Sequence, residues 1–241
     1  MIRDIPILIL HGWNLSAEKF APLVNELRIK GFNAQASDLP GFGTSPKPKN
    51  PLTLSDYVRY VDKYVKSKNW SEIVIIGHSF GGRLAIKLAS QNPKFLKALI
   101  LSGAPGYNPV PKLKILFFLS LAKLGNAIFA LPILKNFSTL SRHFLYRAAQ
   151  ATDFYNTDKN MRDTFKNIVK EELVDYMAQI KVPTLLIWGE NDLIVPVSIA
   201  KKMSKVIPNA KLTVIPDARH GAPWTHPKEF VESVIKFLDK I

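Results

Sequence analysis

A serine at position 79 sits between two glycines, each two positions away, in Gly77-His78-Ser79-Phe80-Gly81. Four β-branched apolar residues, Ile73-Val74-Ile75-Ile76, run into this pattern, and Arg83-Leu84-Ala85-Ile86-Lys87-Leu88-Ala89 runs out of it with helical character. A strand that turns sharply into a helix at a serine exposes the hydroxyl at the helix N-terminus. Backbone N–H groups and the helix dipole favour developing negative charge there. The glycines suit a turn so tight that a β-carbon on either side would clash. The chemistry open to such a serine is nucleophilic attack on a carbonyl.

An unassisted serine is a weak nucleophile and needs a base, which in turn needs an acid to orient it. The sequence offers five histidines. His220 lies a few residues after the last predicted strand, in Asp217-Ala218-Arg219-His220-Gly221, and is the candidate base. His78 is next to the serine along the backbone, so its ring is expected to point away. His11 ends the first predicted strand and is expected to serve loop structure. His143 falls in a central helical insertion and His226 precedes a helix. The candidate acids follow the fifth predicted strand in Gly189-Glu190-Asn191-Asp192. Asp192 is the better placed, because Leu193-Ile194-Val195-Pro196 can pack the loop down; Glu190 is the runner-up. The fourth strand ends in Ser102-Gly103-Ala104, with no carboxylate. An oxyanion needs two N–H donors. The Phe80 backbone, directly after the serine, is one candidate. The other is the Trp13 backbone, in a loop that Gly12 allows to turn.

These residues need elements to position them. Predicted strands cover 6–10, 32–37, 73–76, 96–101, 183–189 and 211–215. Predicted helices fill most gaps: 17–30 with Ser16 as its cap and Gly31 as its stop, 53–68 opened by a Thr53-Leu54-Ser55-Asp56 capping box, a helix after Ser79, and 227–240. Strands that alternate with helices imply a parallel, doubly wound sheet, with ligands at the carboxyl ends of its strands. Every candidate residue follows a predicted strand. Residues 105–180 interrupt the alternation with a mainly helical, proline-punctuated block, very apolar over 113–134. The expected organisation is therefore a core of 1–104 and 181–241, with a cap of 105–180 over the strand ends.

Composition narrows the possibilities. A chain of 241 residues that is 47% hydrophobic suits one α/β domain with an insertion. No cysteine is present, which excludes disulfides, thiolate metal sites and a cysteine nucleophile, and points to the cytoplasm. No apolar run reaches transmembrane length and no signal peptide is evident. The net charge of +14 comes from scattered lysines, with no arginine-rich stripe or nucleic-acid motif. It is read as a solvated surface that allows at most weak association with an anionic membrane. No nucleic-acid partner, cofactor or metal is expected, and the protein is expected to be a monomer or homodimer.

Taken together, His11-Gly12-Trp13, the Asp38-Leu39-Pro40-Gly41-Phe42-Gly43-Thr44-Ser45 loop, Gly77-His78-Ser79-Phe80-Gly81-Gly82, Gly189-Glu190-Asn191-Asp192 and Asp217-Ala218-Arg219-His220 resemble the α/β-hydrolase fold superfamily, of the capped esterase and C–C hydrolase type. The order Ser, Asp, His is that family's order. The resemblance covers nearly the whole chain except the cap. It implies an α/β-hydrolase fold with about six mainly parallel strands flanked by helices, the cap lying between the fourth and fifth. Members usually carry one or two antiparallel strands before the His-Gly strand. Only six residues precede Ile7 here, so the sheet edge is expected to be shorter. The implied catalytic residues are Ser79, Asp192 and His220, with Trp13 and Phe80 as the oxyanion hole. Trp13, Phe117, Phe118 and Phe129 are expected at the substrate, a small-molecule ester or lactone with an apolar group. A C–C bond hydrolase, an acyltransferase, a peptidase and a non-catalytic receptor remain as alternatives.

Overall fold

A strand made only of apolar residues needs cover on both faces, and the central strands of this chain read that way. In the computed structural model, which describes residues 4–107 and 158–241, six parallel strands form one sheet. They are β1 (Ile7–Leu10), β2 (Ala34–Ser37), β3 (Ile73–His78), β4 (Leu96–Ser102), β5 (Thr184–Gly189) and β6 (Lys211–Ile215). Every residue of β1, β3 and β5 is buried, whereas the edge strands β2 and β6 are only partly covered. The order across the sheet is β2-β1-β3-β4-β5-β6. The chain steps outward from β1 to β2, then crosses back to β3 on the other side of β1. That reversal opens a crevice between the carboxyl ends of β1 and β3, where ligands of doubly wound sheets bind.

Alternate side chains of each strand point to opposite faces and build two cores. On one face Ile7, Ile9, Val74, Ile76, Ile100 and Ile187 pack against α1 (Ala21–Ile29) and α8 (Pro227–Leu238). On the other, Leu8, Leu10, Ile75, Leu99, Leu101 and Leu186 pack against α2 (Leu54–Ser67), α3 (Phe80–Ser90) and α6 (Val197–Val206). Between β4 and β5 the described chain holds α4 (Lys159–Lys170) and α5 (Val174–Ala178). Met161, Ile168, Leu173 and Met177 join the second core. A short α7 (Ala222–Thr225) precedes α8. Among the described residues no helix is long and apolar enough to cross a membrane.

The helix expected over 17–30 differs in detail. Ala17–Phe20 forms a 3₁₀ turn, and α1 begins only at Ala21, with Pro22 in its first turn, where a missing N–H costs nothing. The side chain of Ser16 makes no capping hydrogen bond; Asp38 Oδ1 accepts the Ala17 N–H instead, at 2.7 Å. The capping box at Thr53 and Asp56 forms in both directions. β3 extends to His78 and β4 to Ser102, because the two strands stay in register as far as that pair.

Candidate active site

Ser79 follows β3 with φ 52° and ψ −114°, a conformation unusual for any residue with a side chain and costing on the order of 1–3 kcal/mol. The surroundings hold it there. Ser79 N–H donates to Ser102 O at 2.9 Å, and Gly81 N–H donates to His11 O at 3.0 Å. A β-carbon at residue 81 would overlap the Leu10 carbonyl, and one at residue 77 would lie 2.7 Å from Gly81 O. Both glycines are thus required by close backbone approach. The serine ends on the first turn of α3, where the Phe80 N–H faces no intrahelical carbonyl.

Asp192 is only 3% exposed. Its Oδ2 lies 2.7 Å from His220 Nδ1, and its Oδ1 accepts the N–H groups of Ile194 at 2.9 Å and Val195 at 2.8 Å. Trp188 Nε1–H donates to Val195 O at 2.7 Å and draws this loop onto β5. Asn191 N–H donates to Ala218 O at 2.9 Å, joining the loop to the segment that carries His220. Glu190, the runner-up acid, is exposed. A carboxylate only accepts, so Nδ1 of His220 carries the proton and Nε2 keeps its lone pair.

The His220 ring is located by two neighbours near the serine. Gly103, at φ +55°, would place a β-carbon 2.8 Å from His220 Cε1 and 2.9 Å from Nδ1. The His78 ring is 4.8 Å from the His220 ring, tilted at 52°. The expectation that His78 points away is incomplete: its fully buried ring packs between His220, Phe20 and Trp224. Neither His78 nitrogen makes a well-formed hydrogen bond, although the Ser102 carbonyl is near enough to favour protonation slightly. Burial, reinforced by repulsion between a proton here and a second one on the neighbouring His220, holds the His78 pKa well below the ordinary histidine range.

The loop after β1 stands over Ser79, where a β-carbon on Gly12 would be 3.3 Å from that of the serine. His11 fixes this loop. The Leu39 N–H donates to His11 Nε2 at 2.9 Å, so Nδ1 must hold the proton, and it donates to Gly12 O at 2.8 Å. Burial lowers the His11 pKa, which favours this neutral tautomer. The Leu15 N–H also donates to Gly12 O, at 3.2 Å. In a trans peptide C=O and N–H point in opposite directions, so anchoring the Gly12 carbonyl aims the Trp13 N–H the other way. That N–H makes no backbone hydrogen bond among the described residues. The Trp13 ring packs edge-on against Phe42, Phe80 and Phe165 at 4.9, 5.5 and 5.0 Å.

The structure therefore joins Asp192 to His220 and brings His220 beside the neighbours of Ser79, with Trp13 and Phe80 adjacent. Phe117, Phe118 and Phe129 lie outside the described residues. His226 is remote in role: it is half-buried and bonds Thr225. Three contributors escaped the sequence reading: Gly103, whose missing side chain was noted only as an absent carboxylate; the His78 contact with His220; and Phe165, a lone aromatic on an amphipathic helix.

The family model for the α/β hydrolase fold matches residues 5–227. A 2-hydroxy-6-oxononadienedioate/2-hydroxy-6-oxononatrienedioate hydrolase of Cupriavidus pinatubonensis is 30% identical over 255 residues, which span 96% of this chain and 86% of that protein. The protein of the same name from Escherichia coli K12 is 26% identical, spanning 98% and 87%. Among solved structures, a bromoperoxidase from Bacillus anthracis matches with a TM-score of 0.75 at 23% identity, covering 98% of this chain and 92% of that one. The enol-lactonase from Burkholderia xenovorans matches with 0.74 at 22%, with the same coverage. With a six-stranded parallel sheet, a strained serine turn and a family match over nearly its whole length, this chain belongs to the α/β hydrolase fold family.

Proposed function

We propose that the protein is a serine hydrolase of carboxylic esters or lactones, with a catalytic triad of Ser79, His220 and Asp192. In this reading Ser79 Oγ attacks the substrate carbonyl while His220 Nε2 takes its proton. Asp192 holds the ring and stabilises the imidazolium that forms. The Phe80 and Trp13 N–H groups stabilise the oxyanion. Collapse of the tetrahedral intermediate releases the alcohol, protonated by His220. A water, activated by the same histidine, then attacks the acyl-enzyme and frees Ser79. Residues 105–180, inserted between β4 and β5, are assigned as the cap.

The observation that carries this reading is the 2.7 Å contact between Asp192 and His220 Nδ1, with that ring seated on Gly103 beside the strained Ser79. The aromatic surround of Trp13, Phe42, Phe80 and Phe165 favours an apolar acyl group. A second reading is supported by the Cupriavidus relative. A hydrolase named for a 6-oxo substrate has a ketone as its electrophile, and hydrolysis at a ketone breaks a carbon–carbon bond.

The deciding experiment offers purified protein and Ser79→Ala a set of p-nitrophenyl esters of graded acyl length, simple lactones and a 2-hydroxy-6-oxo dienoate. Ester or lactone turnover that vanishes in Ser79→Ala supports the first reading. Turnover of the dienoate alone moves the assignment to carbon–carbon cleavage. No turnover, together with no labelling of Ser79 by a fluorophosphonate, would sink both.

A further inference from the structure

Arg83 lies four residues after the nucleophile on α3 and is buried. Its guanidinium donates to three backbone carbonyls: Pro105 O at 2.8 Å, Ile168 O at 2.9 Å and Glu171 O. Pro105 opens the insertion between β4 and β5, while Ile168 and Glu171 stand at the C-terminus of α4 near its close. One side chain on the nucleophile's helix thus grips both ends of the insertion. A cation at a helix C-terminus also meets the negative end of the helix dipole. Lys87, one turn further along α3, pairs with the Glu171 carboxylate. Burial brings the Arg83 pKa down to about 10, which still leaves it charged at neutral pH.

Along its length α4 is also tied to the loop before α2. Leu52 N–H donates to the buried Thr164 Oγ1 at 2.8 Å, Asn160 Nδ2 donates to Lys49 O at 2.8 Å, and Asn167 Nδ2 donates to Leu52 O at 3.2 Å. Helix α4 is therefore held both at its C-terminal end and along its length. It carries Phe165, whose ring is 5.0 Å from that of Trp13. Trp13 in turn touches Phe80, the residue after the nucleophile.

We propose that Phe165 is a specificity-determining residue that sets the width of the acyl side of the site, and that Arg83 is the positioning residue that holds it there by clamping both ends of the insertion. The proposal deepens the serine-hydrolase reading and rests on it. A wall held at its end and along its length by hydrogen bonds to the backbone discriminates by size, because it cannot yield to a larger group without breaking them. Arg83 suits the task because its planar fork reaches several carbonyls at once, whereas a lysine ammonium on a flexible stem cannot reproduce that geometry.

The test measures kcat/KM for p-nitrophenyl acetate, butyrate and octanoate, and labelling rates with a short-chain and a long-chain alkyl fluorophosphonate. The proteins are wild type, Phe165→Ala, Phe165→Leu, Arg83→Lys and Arg83→Met. Phe165→Ala is expected to raise the octanoate-to-acetate ratio at least fivefold, mainly through KM, and to raise the long-to-short probe labelling ratio in the same direction. Arg83→Met is expected to shift the ratio in the same direction, with Arg83→Lys between. If Arg83→Met does not fold, Arg83→Lys and the two Phe165 variants still decide. An unchanged ratio in Phe165→Ala, in both hydrolysis and probe selectivity, overturns the proposal while Ser79 labelling leaves the hydrolase reading intact. A shift in the Phe165 variants with none in a folded Arg83 variant overturns the clamp. Loss of all labelling in wild type overturns the hydrolase reading itself, and the proposal with it.

Discussion

Gly103 and His220 are in contact at a spacing that leaves no room for a single β-carbon. The glycine ends β4 at φ +55°, and the methyl group of an alanine would stand 2.8 to 2.9 Å from two atoms of the imidazole. The register of β4 against β3 puts this glycine directly after Ser102, whose carbonyl holds the Ser79 N–H at 2.9 Å. The position of the histidine is thus fixed from the strand that supports the serine.

Gly103→Ala is expected to displace the His220 ring, with kcat for a turned-over ester falling about 100-fold, the order that a misplacement of about 1 Å costs. The positive φ adds destabilisation of about 1 kcal/mol. Steady-state kinetics and a melting curve check this. A variant with wild-type kcat would show that the ring position is not set here.

Asp192→Asn keeps an acceptor for the Ile194 and Val195 N–H groups but can place an NH₂ against His220 Nδ1, which favours the wrong tautomer. A fall in kcat of about 10⁴-fold is expected, with KM little changed. A Glu190→Gln variant should stay within threefold of wild type. The reverse ranking would reassign the acid.

His11→Leu removes one of the two hydrogen bonds that hold the Gly12 carbonyl, leaving that from the Leu15 N–H, and leaves the Leu39 N–H without its acceptor. A stability loss of about 1–3 kcal/mol is expected. A kcat fall of roughly 10-fold should accompany it, because the Trp13 N–H is less firmly aimed. A melting temperature that drops with kcat unchanged would limit His11 to a structural role.

The two buried histidines set an acid limit on stability. Burial lowers both pKa values in the folded state, most strongly for His78. The unfolded chain therefore binds their protons more readily, at the ordinary value of about 6.5. Stability is fully present above that pH and declines as pH falls below it. The lowered carboxylates Asp38 and Asp56 lose their contributions only below the usual carboxylate range, so the decline from pH 6.5 to 5 belongs to the histidines. The groups facing His78 are His220 and, more distantly, His11. His78→Phe is expected to hold its stability at pH 7 and to flatten this slope, as read from urea midpoints at pH 7, 6 and 5. A slope equal to that of wild type would remove His78 from the account.

Much of the architecture was legible because short-range rules carry it. All-apolar runs such as Ile73-Val74-Ile75-Ile76 read as doubly covered strands, and the capping box at Thr53 and Asp56 formed as its spacing required. The start of the 17–30 helix was misread because its cap is not local. Asp38, 21 residues away, takes the Ala17 N–H, while the Ser16 side chain, expected as the cap, makes no capping bond. The loop candidates Asp192 and His220 could be proposed from their places after strands, and Asp192 preferred to Glu190 from the apolar residues that follow it; the burial of Asp192, its contact with His220 and the exposure of Glu190 belong to the fold.

By itself the sequence determined the alternation of strands and helices, the tight serine turn and the candidate site residues, because these depend on neighbours within a few residues. Only the tertiary structure decided that Gly103 yields its space to His220, that His11 selects a tautomer and thereby aims a peptide, and that Arg83 ties both ends of an insertion to the serine's helix. Such relations join segments tens of residues apart, and their strength comes from contact distance and from exclusion of water. Neither quantity exists until the sheet has brought those segments together.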